Sequence, residues 1–386
     1  MARRQRLDGD DQRMIPYSRQ SIDQSDIDAV VEALKGDFLT GGKKVGEFEE
    51  ALAKYLGVKY VCVMNSATSA LHVAYQIIGL KEGDELITTP LTFSATSNTA
   101  LQCGATPIFC DIKFDGNIDE RKIEALITPK TKAIAPVDFG GNPLNIDVIK
   151  AICDKHKLFL VEDASHALGS QIDGLKVGTT ADITIFSFHA IKPITTLEGG
   201  AIATNNEAFY EQAKLLRSHG IIKKELWNSD MVTLGENYRL SDVACALGLS
   251  QLGRLDSFIQ KRQDIAHYYD ERFANNPFFT TIPIDKTKKS ARHLYPILLD
   301  RSLWCSKEEI FKALHVKGLG VQVHYKPIYQ FSYYKKLLGE MRLSNTEDFY
   351  KAELSIPCHQ GMSMEDAVWV ADTLLETLAS IKGCHL

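Results

Sequence analysis

The sequence has no long apolar run, no paired cysteines and no basic cluster. No apolar run reaches the ~18 residues that a membrane-spanning helix needs, and no basic stretch inside the chain indicates a nucleic-acid surface. The eight cysteines are scattered, with no CxxC pair and no His/Cys cluster at zinc spacing. We therefore expect no membrane span, no nucleic-acid partner and no metal site. Most cysteines lie in apolar stretches and are expected to be reduced core thiols, which favours the cytoplasm.

The composition is that of a folded chain with more than one unit. The chain has 386 residues, of which 45% are hydrophobic and 24% charged, and a net charge of -5. This length accommodates one large domain and a smaller one. Residues 1–13 are basic and then acidic without an apolar core, so we interpret them as an added tag rather than a secretory signal. The predicted units are then a large domain over 14–241, a linking helix over 242–277 and a small domain over 278–386.

Short apolar strands alternate with helices over most of the chain. This alternation predicts βαβ units and an α/β fold whose mostly parallel sheet is covered on both faces. From about residue 278 the pattern changes to that of a smaller α+β unit, and residues 219–235 read as irregular. The predicted strands are 60–64, 85–89, 107–111, 132–137, 158–162, 182–188, 201–204, 294–299 and 321–324; the predicted helices are 23–35, 45–56, 67–78, 94–103, 119–126, 146–155, 206–218, 242–273, 307–317 and 364–381.

One lysine is a candidate reactive amine, in the segment FSFHAIKPITTLEGG at residues 186–200. Lys192 directly precedes a proline, which disfavours the helical conformation, so we expect Lys192 on an extended loop after a strand. Burial among apolar neighbours lowers a lysine's pKa and frees its amine for Schiff-base chemistry. An ordinary surface lysine is the alternative, since the chain has 44 Lys and Arg.

Three other predicted strands end in polar or aromatic loops. Residues 65–70, with the sequence NSATSA, could hold a phosphate at a helix N-terminus or could simply cap that helix. Phe93 could stack on a planar group or belong to the core. Asp163 follows an apolar strand, where an unpaired charge is costly, so it either caps a turn or pairs with a cation such as a protonated pyridine. Since sites form at the carboxyl ends of strands, the four loops together predict a pyridoxal phosphate site.

These segments carry a family resemblance that extends from about residue 14 to the end of the chain. The segments 65–71, 163–169, 186–196, 216–220 and 322–329 resemble those of the DegT-type sugar aminotransferases, and in particular the branch that acts in pseudaminic acid biosynthesis. The resemblance implies the type I, aspartate aminotransferase-like fold, with a large mixed sheet domain and a smaller C-terminal domain. It also implies pyridoxal 5'-phosphate as cofactor, L-glutamate as amino donor, a UDP-linked 4-keto sugar as acceptor, and a homodimer with shared active sites.

The same resemblance implies a role for each site residue. Lys192 would bind the cofactor and move protons, Asp163 would pair with its pyridine nitrogen, and His166 would lie near its ring, although many relatives have glutamine at that position. Phe93 would stack on the ring, while Ala67, Thr68 and Ser187 would hold the phosphate. Asn237 would reach the neighbouring subunit's phosphate. The implied sugar-nucleotide contacts are Tyr17, Asp37, Phe38, Leu39, Thr40, Ala67, Ser187, Asn237, Tyr325, Lys326, Pro327 and Ile328.

Other functions fit the same pattern. An aminotransferase for a different 4-keto nucleotide sugar, of the bacillosamine or lipid A type, would need the same cofactor residues. A sugar dehydratase of this fold is disfavoured, because such relatives replace the lysine by histidine and Lys192 is present. A non-catalytic protein of this fold would be indicated by a missing lysine or a fused DNA-binding segment, and the sequence shows neither.

Overall fold

The computed structural model describes residues 13–381. The predicted tag residues 1–12, and Cys384 near the other end, lie outside this range. Arg13 donates to the Asp366 carboxylate at 2.5 Å and its guanidinium lies over the Trp369 ring. No helix between residues 13 and 381 is long and apolar enough to cross a membrane.

The strands form a central sheet, a second sheet and two small ribbons. Seven strands, β1–β5, β8 and β9, build the central sheet. Strands β12, β14 and β15 form the second sheet. The bounds are β1 Tyr60–Met64, β2 Glu85–Thr88, β3 Thr106–Phe109, β4 Thr131–Ala135, β5 Phe159–Asp163, β6 Gln171–Ile172, β7 Leu175–Lys176, β8 Ile183–Ser187, β9 Gly200–Thr204, β10 Ile221–Lys223, β11 Ser229–Met231, β12 Phe279–Thr281, β13 Lys288–Lys289, β14 Tyr295–Leu299 and β15 Glu353–Ile356.

The helices begin where polar side chains can accept the free amides of a first turn. Ser66 caps one helix by accepting a hydrogen bond from Ser69 N, and Ser363 and Asp366 form a capping box at the start of the last helix. The helices are α1 Gln24–Leu34, α2 Lys43–Leu56, α3 Ala67–Ile77, α4 Ala95–Gln102, α5 Glu120–Ile123, α6 Ile146–His156, α7 Glu207–Arg217, α8 Asp242–Leu252, α9 Leu255–Arg272, α10 Lys307–Val316, α11 Ser332–Leu338, α12 Ser344–Ala352 and α13 Met364–Ser380.

The central sheet has the strand order β1-β9-β8-β5-β4-β2-β3. Strand β9 runs antiparallel to both of its neighbours, and every other neighbouring pair is parallel. The predicted α/β fold with a mixed, mostly parallel sheet is therefore confirmed. Because all strands except β9 point the same way, the loops that follow β1, β2, β5 and β8 meet at one edge of the sheet.

Both faces of the central sheet are covered, as the alternation of β1 shows. Cys62 and Met64 pack into one hydrophobic core cluster together with residues of α3 and α7. Val61 and Val63 point to the opposite face and pack with residues of α2 and α8. Successive strand side chains alternate between faces, so one apolar run supplies both cores. A third core cluster lies between the second sheet and helices α9, α10 and α13.

The sequence predictions of secondary structure departed from the structure in several places, and strands such as β12 and β15 were not predicted. The helix predicted over 242–273 is two helices, α8 and α9, interrupted at residues 253 and 254. Residues 321–324 form no strand and make only an isolated bridge between Gln322 and Ser355. The segment 219–235, predicted as irregular, contains the antiparallel hairpin β10–β11. The helices α11 and α12 were not predicted, because both are short and lie close to breaks in the apolar pattern.

Most described cysteines match the expectation of core thiols. Six are free, of which Cys62, Cys110, Cys153, Cys245 and Cys358 are buried. Burial raises the pKa of Cys62 and of Cys110 to about 12, so these thiols stay protonated. Cys305 is disulfide-bonded, so the expectation of reduced thiols does not extend to every cysteine.

Candidate active site

The carboxyl edge of the central sheet holds a cavity of about 710 Å³. The four strand-end loops singled out in the sequence all contribute to its wall. Residues from the second half of the chain close the opposite side, among them His293 and His324. The site residues predicted from sequence that line the cavity are Tyr17, Ala67, Thr68, Phe93, Asp163, His166, Ser187, Lys192, Tyr325 and Lys326.

Lys192 lies on the loop after β8, as predicted, and its side chain is half-buried. Its Nζ atom lies 3.5 Å from His293 Nε2. The pKa of the lysine is lowered to about 7, mainly by desolvation, which the Asp163 carboxylate opposes and the charge of Arg262 reinforces. The cavity therefore contains an amine that changes protonation state near neutral pH and is largely neutral above it, as a nucleophile or proton acceptor requires.

Asp163 is the last residue of β5, and its side chain is buried and held by two hydroxyls. Thr96 Oγ1 donates to Oδ2 at 2.7 Å, and Ser165 donates to Oδ1 through its hydroxyl at 2.6 Å and its amide at 3.2 Å. These hydrogen bonds fix the carboxylate at the cavity wall. An oriented buried carboxylate is the group that stabilises a bound cation.

The first turn of α3 forms the candidate phosphate site. Ser66 satisfies the amide of Ser69, so the amides of Ala67 and Thr68 remain outside the helix's own hydrogen bonds. Ser187, at the end of β8, places its hydroxyl on the same cavity. A helix N-terminus with free amides and a hydroxyl beside it is suited to an anion.

A close backbone approach supports this turn. At Gly200, the first residue of β9, an added Cβ would lie 2.4 Å from Ala67 N and 2.6 Å from Ser66 O. Only a glycine lets the strand come so near to the helix start. The position of the Ala67 and Thr68 amides therefore depends on Gly200.

His166 and Phe93 present rings to the cavity. His166 Nδ1 accepts a hydrogen bond from Gly140 N at 3.3 Å, so Nε2 carries the proton and donates to Tyr325 Oη at 3.1 Å. Desolvation and the charge of Lys192 hold the pKa of His166 well below its usual value, which keeps the ring neutral. Phe93 is 64% exposed although it is apolar. An exposed ring on a cavity wall is a surface for a planar group rather than part of the core.

Several predicted contacts lie elsewhere in this chain. Asn237 is exposed, and its carbonyl accepts from Asn65 Nδ2 at 3.3 Å. Asp37, Phe38, Leu39 and Thr40 are exposed, and the first two line a different cavity of about 780 Å³. Pro327 and Ile328 are buried, and Ile328 packs against Phe109 and Tyr329. The roles assigned to these residues stay predictions.

Sequence reasoning missed several cavity residues, among them Thr96, His293, Gln322 and His324. Thr96 is on α4 and reaches Asp163 only because α4 packs behind the loop after β2. His293 is in an irregular segment with no strand-end signal. The rings of His166 and His293 lie 4.5 Å apart between centroids, which only the fold reveals. Gln322 and His324 belong to the segment 322–329, of which only Tyr325, Lys326, Pro327 and Ile328 were predicted as site residues.

The cavity fits pyridoxal 5'-phosphate. The free amides of α3 and the Ser187 hydroxyl suit its phosphate, the oriented Asp163 carboxylate suits a protonated ring nitrogen, and the Lys192 amine suits its aldehyde. Across residues 13–381, no group of three or more His, Cys, Asp or Glu side chains is arranged to hold a metal ion.

Comparison with known proteins gives a consistent result. A sequence profile of the DegT/DnrJ/EryC1/StrS aminotransferase family matches residues 20–375. A Campylobacter jejuni protein named UDP-4-amino-4,6-dideoxy-N-acetyl-beta-L-altrosamine transaminase is 59% identical over 372 residues, which cover 96% of this chain and 99% of that protein. A Helicobacter pylori protein of the same name is 45% identical, with coverage of 95% and 98%.

Solved structures agree with the sequence relatives. The structure of Helicobacter pylori PseC, an aminotransferase involved in the biosynthesis of pseudoaminic acid, superposes with a TM-score of 0.94 at 45% identity and covers 96% of this chain and 100% of that chain. A Streptococcus pneumoniae protein solved in its PLP form superposes with a TM-score of 0.91 at 31% identity, with coverage of 95% and 99%.

Proposed function

Because the chain belongs to the DegT/DnrJ/EryC1/StrS aminotransferase family, we propose that it aminates C4 of a UDP-linked 4-keto-6-deoxy-N-acetyl hexose. The acceptor is UDP-2-acetamido-2,6-dideoxy-beta-L-arabino-hexos-4-ulose and the amino donor is L-glutamate. The product is UDP-4-amino-4,6-dideoxy-N-acetyl-beta-L-altrosamine, the sugar named in the relatives at 59% and 45% identity. The observation that carries the proposal is the Lys192 amine, with its lowered pKa, in one cavity with Asp163 and the free amides of α3.

The cofactor is pyridoxal 5'-phosphate, as in the rest of the family. When bound, it supplies an aldehyde for Schiff-base chemistry with amines and an electron-withdrawing ring. The amides of Ala67 and Thr68 and the Ser187 hydroxyl would hold its phosphate. Asp163 would hold its pyridine nitrogen in the protonated form, and Phe93 and His166 would contact its ring.

Lys192 would move protons in both halves of the reaction. Its Nζ atom accepts a proton from Cα of the amino donor and delivers a proton to C4 of the sugar. Both tasks require an amine that changes protonation state near neutral pH, and desolvation lowers the pKa of Lys192 to about 7. His293, 3.5 Å from Nζ, has a pKa held well below its usual value by desolvation and by the charge of Lys192, so it faces the amine as a neutral ring.

The sugar nucleotide would enter from the side of the cavity that the second half of the chain closes. Tyr17, Gln322, Tyr325 and Lys326 line that side and offer hydroxyl, amide and ammonium groups. These groups suit a polar sugar and a diphosphate. We expect Lys326 to contribute its positive charge to diphosphate binding.

We also propose that the enzyme is a homodimer in which Asn237 and residues 37–40 complete the partner's site. Three observations support this. Phe38 is 68% exposed, and Asn237 is exposed beside Asn65 at the start of the candidate phosphate site. The hairpin β10–β11 carries exposed apolar side chains between its charged ones, with Trp227 at its tip 83% exposed. Exposed apolar patches mark surfaces that another protein covers.

Sedimentation tests the homodimer directly. We expect a dimer, and Asn237→Ala should weaken cofactor binding without dissociating the dimer. A fully active monomer would rule out shared sites.

We further propose that the enzyme acts in the cytoplasm and that its product serves flagellin glycosylation. Cell fractionation, and glycan analysis of flagellin from a deletion strain, test those two statements.

The acceptor sugar is tested by product analysis. The holoenzyme would be incubated with L-glutamate and UDP-linked 4-keto sugars that differ in configuration at C5, and each product identified by NMR. We expect the L-arabino-hexos-4-ulose to be aminated fastest. Faster amination of the C5 epimer would reassign the enzyme to another 4-amino sugar, while leaving the aminotransferase activity in place.

Lys192→Ala tests the chemistry. We expect the wild-type protein to be yellow from bound cofactor, and the variant to lose turnover and to show a shifted absorbance of any cofactor it still binds. Lys155→Ala is a matched control, since Lys155 is exposed on α6 and lines no part of the active cavity. Turnover by Lys192→Ala at the wild-type rate would refute the assignment of Lys192.

A further inference from the structure

A buried hydrogen-bonded chain runs from the cavity into the second sheet. His324 lines the cavity, and its Nδ1 lies 2.8 Å from Ser355 Oγ. Ser355 Oγ lies 2.6 Å from Glu353 Oε1, and Glu353 Oε2 accepts the His324 backbone N–H at 2.7 Å. All three residues are buried, and Glu353 and Ser355 are fully so. The mechanism described above does not use this chain of contacts.

The fold brings the three residues together in a defined way. Glu353 and Ser355 are two residues apart on β15, so their side chains leave the strand on the same face. The backbones of Ser355 and Gln322 exchange two hydrogen bonds, of 2.8 and 3.1 Å. This pairing places His324, two residues beyond Gln322, against the face that carries both side chains.

The number of hydrogens available to His324, Ser355 and Glu353 determines which ring nitrogen of His324 is protonated. Desolvation and the charge of Lys192 lower the pKa of His324 to about 3, so the ring is neutral and carries one N–H. A hydroxyl has a single hydrogen, and an ionised carboxylate has none to offer. Ser355 must therefore donate to Glu353, and its oxygen can then only accept from His324 Nδ1–H. Nε2 is left bare on the side of the cavity.

We propose that Ser355 and Glu353 are positioning residues that hold His324 as its Nδ1-protonated tautomer, so that bare Nε2 accepts a hydrogen bond from a substrate hydroxyl or N–H. The substrate part of this statement rests on the proposed function, because it takes the sugar nucleotide as the occupant of the cavity. The tautomer part rests on the described contacts, with a neutral His324 ring and an ionised Glu353 carboxylate.

The donor and acceptor roles in these hydrogen bonds reverse when Glu353 takes up a proton. A protonated Glu353 donates to Ser355, Ser355 then donates to Nδ1, and Nε2 carries the hydrogen instead. Burial raises the pKa of Glu353 to about 7, while the charge of Lys307 and the donors Ser355 and His324 N oppose that rise. Nε2 is thus an acceptor above this pH and a donor below it.

The titratable groups around this hydrogen-bonded chain come from several elements, and they include His166 and His293, whose pKa values are lowered by desolvation and also by the charge of His324. Lys307, on α10, faces Glu353, and burial lowers the pKa of this lysine to about 8. Tyr325 also feels the Glu353 charge, and burial raises the pKa of its hydroxyl above its ordinary range. Lys192 faces His324 from across the cavity, and the Tyr17 ring lies 5.3 Å from the His324 ring. Among these titratable groups, Glu353 is the acid hydrogen-bonded to Ser355, so its protonation changes the donor that faces His324 Nδ1.

The tautomer is read directly by NMR. Holoenzyme labelled with ¹⁵N-histidine would be recorded in long-range ¹H–¹⁵N correlation spectra between pH 6 and 8.5, with the His324 signals assigned from their loss in His324→Gln. We expect unprotonated Nε2 at pH 8.5 and protonated Nε2 at pH 6, with a midpoint near 7. Protonated Nε2 at pH 8.5 would overturn the proposal.

Glu353→Gln gives the sharpest variant. Its carbonyl oxygen can keep the His324 N–H while its NH₂ group donates to Ser355, which locks the reversed chain. We expect protonated Nε2 at every pH, and a KM for the nucleotide sugar about tenfold higher with little change in kcat, as for one lost hydrogen bond. An Nε2 signal that matches the wild type would contradict the proposal.

Two further variants complete the test. Ser355→Ala removes the hydroxyl that links His324 to Glu353 and should abolish the pH response of the His324 signals. This variant therefore tests the tautomer assignment if Glu353→Gln does not fold. Glu85→Gln is the matched control, because Glu85 accepts from the Thr128 hydroxyl at the opposite end of the sheet. A wild-type protein that aminates no nucleotide sugar would refute the proposed function, while the NMR titration would still decide the tautomer.

Discussion

Gly200→Ala is a direct test of the candidate phosphate site. An alanine Cβ at this position would lie 2.4 Å from Ala67 N, 2.5 Å from Ser66 C and 2.6 Å from Ser66 O. Ordinary contacts between heavy atoms are about 3.5–4.0 Å. Because all three atoms belong to the backbone, no side chain can rotate away. The start of α3 must move by about 1 Å, and its free amides move with it.

The expected cost follows from that displacement. Overpacking of this kind costs about 1–3 kcal/mol, and each 1.4 kcal/mol is a factor of about ten in affinity. If the displacement falls on the α3 amides, the Kd for pyridoxal 5'-phosphate should rise by roughly tenfold to a hundredfold. The Kd for pyridoxal, which has no phosphate, should change much less.

The assay compares the two ligands on cofactor-free protein by fluorescence titration and follows unfolding by calorimetry. Gly46→Ala is the matched control, because nothing lies within 4 Å of an added Cβ at Gly46 on α2. That substitution should stabilise the helix by about 0.5–1 kcal/mol and leave cofactor affinity unchanged. If Gly200→Ala binds pyridoxal 5'-phosphate as wild type does and has the wild-type Tm, the phosphate site is misassigned.

Three further predictions concern the other cofactor residues. Asp163→Asn should retain cofactor poorly and lower kcat by about 10²–10³-fold, because an oriented charge is lost; wild-type turnover would remove the pyridine pairing. Thr96→Val should cost about 1.5–3 kcal/mol of cofactor binding through the lost hydrogen bond to Asp163, measured by equilibrium dialysis; unchanged binding would show that Thr96 only packs. Desolvation lowers the pKa of Lys192 to about 7, so the amine is protonated below that pH and neutral above it. Stopped-flow cofactor loading should therefore speed up as the pH rises through 7 and level off, whereas a flat profile would contradict the lowered pKa.

The protonation of the His324 ring bears on which substrate the enzyme prefers. Lys192 can act on any keto group delivered to it, so specificity must come from the groups that orient the sugar. Among these, Nε2 of His324 is the one whose hydrogen-bonding character is set from outside the cavity, by Ser355 and Glu353. A pH dependence of KM that Glu353→Gln removes would separate this orientation step from the proton transfers of Lys192.

The residues visible in the sequence are those that follow apolar strands. Asp163 and Lys192 could be predicted because a charged residue directly after a buried strand, or before a proline in a loop, is unusual for its local pattern. Ala67 and Thr68 lie in a strand-to-helix loop of small polar residues, which local sequence left open between a phosphate site and a helix cap, and the family resemblance supplied their role. The alternation of strands and helices gave the fold class for the same local reason, since the periods of the two elements differ.

The domain boundaries and the distant site residues are less accessible from sequence. The break between α8 and α9 leaves the apolar pattern nearly continuous, so the two helices were predicted as one. The role predicted for Asn237 involves a second subunit, as does the role proposed for Phe38, and in this chain both residues lie outside the cavity. Such roles depend on assembly, which local periodicity does not encode.

The sequence by itself determined which strand ends carry chemical groups, because burial and turn preferences act over a few neighbouring residues. Only the tertiary structure decided which groups face one another. Thr96 reaches Asp163 across 67 positions, and His293 reaches Lys192 across 101. Glu353 and Ser355 set the tautomer of a histidine about 30 residues away because β15 pairs with the segment that carries it. These contacts follow from how the sheets and helices pack, and no short-range pattern in the chain specifies them.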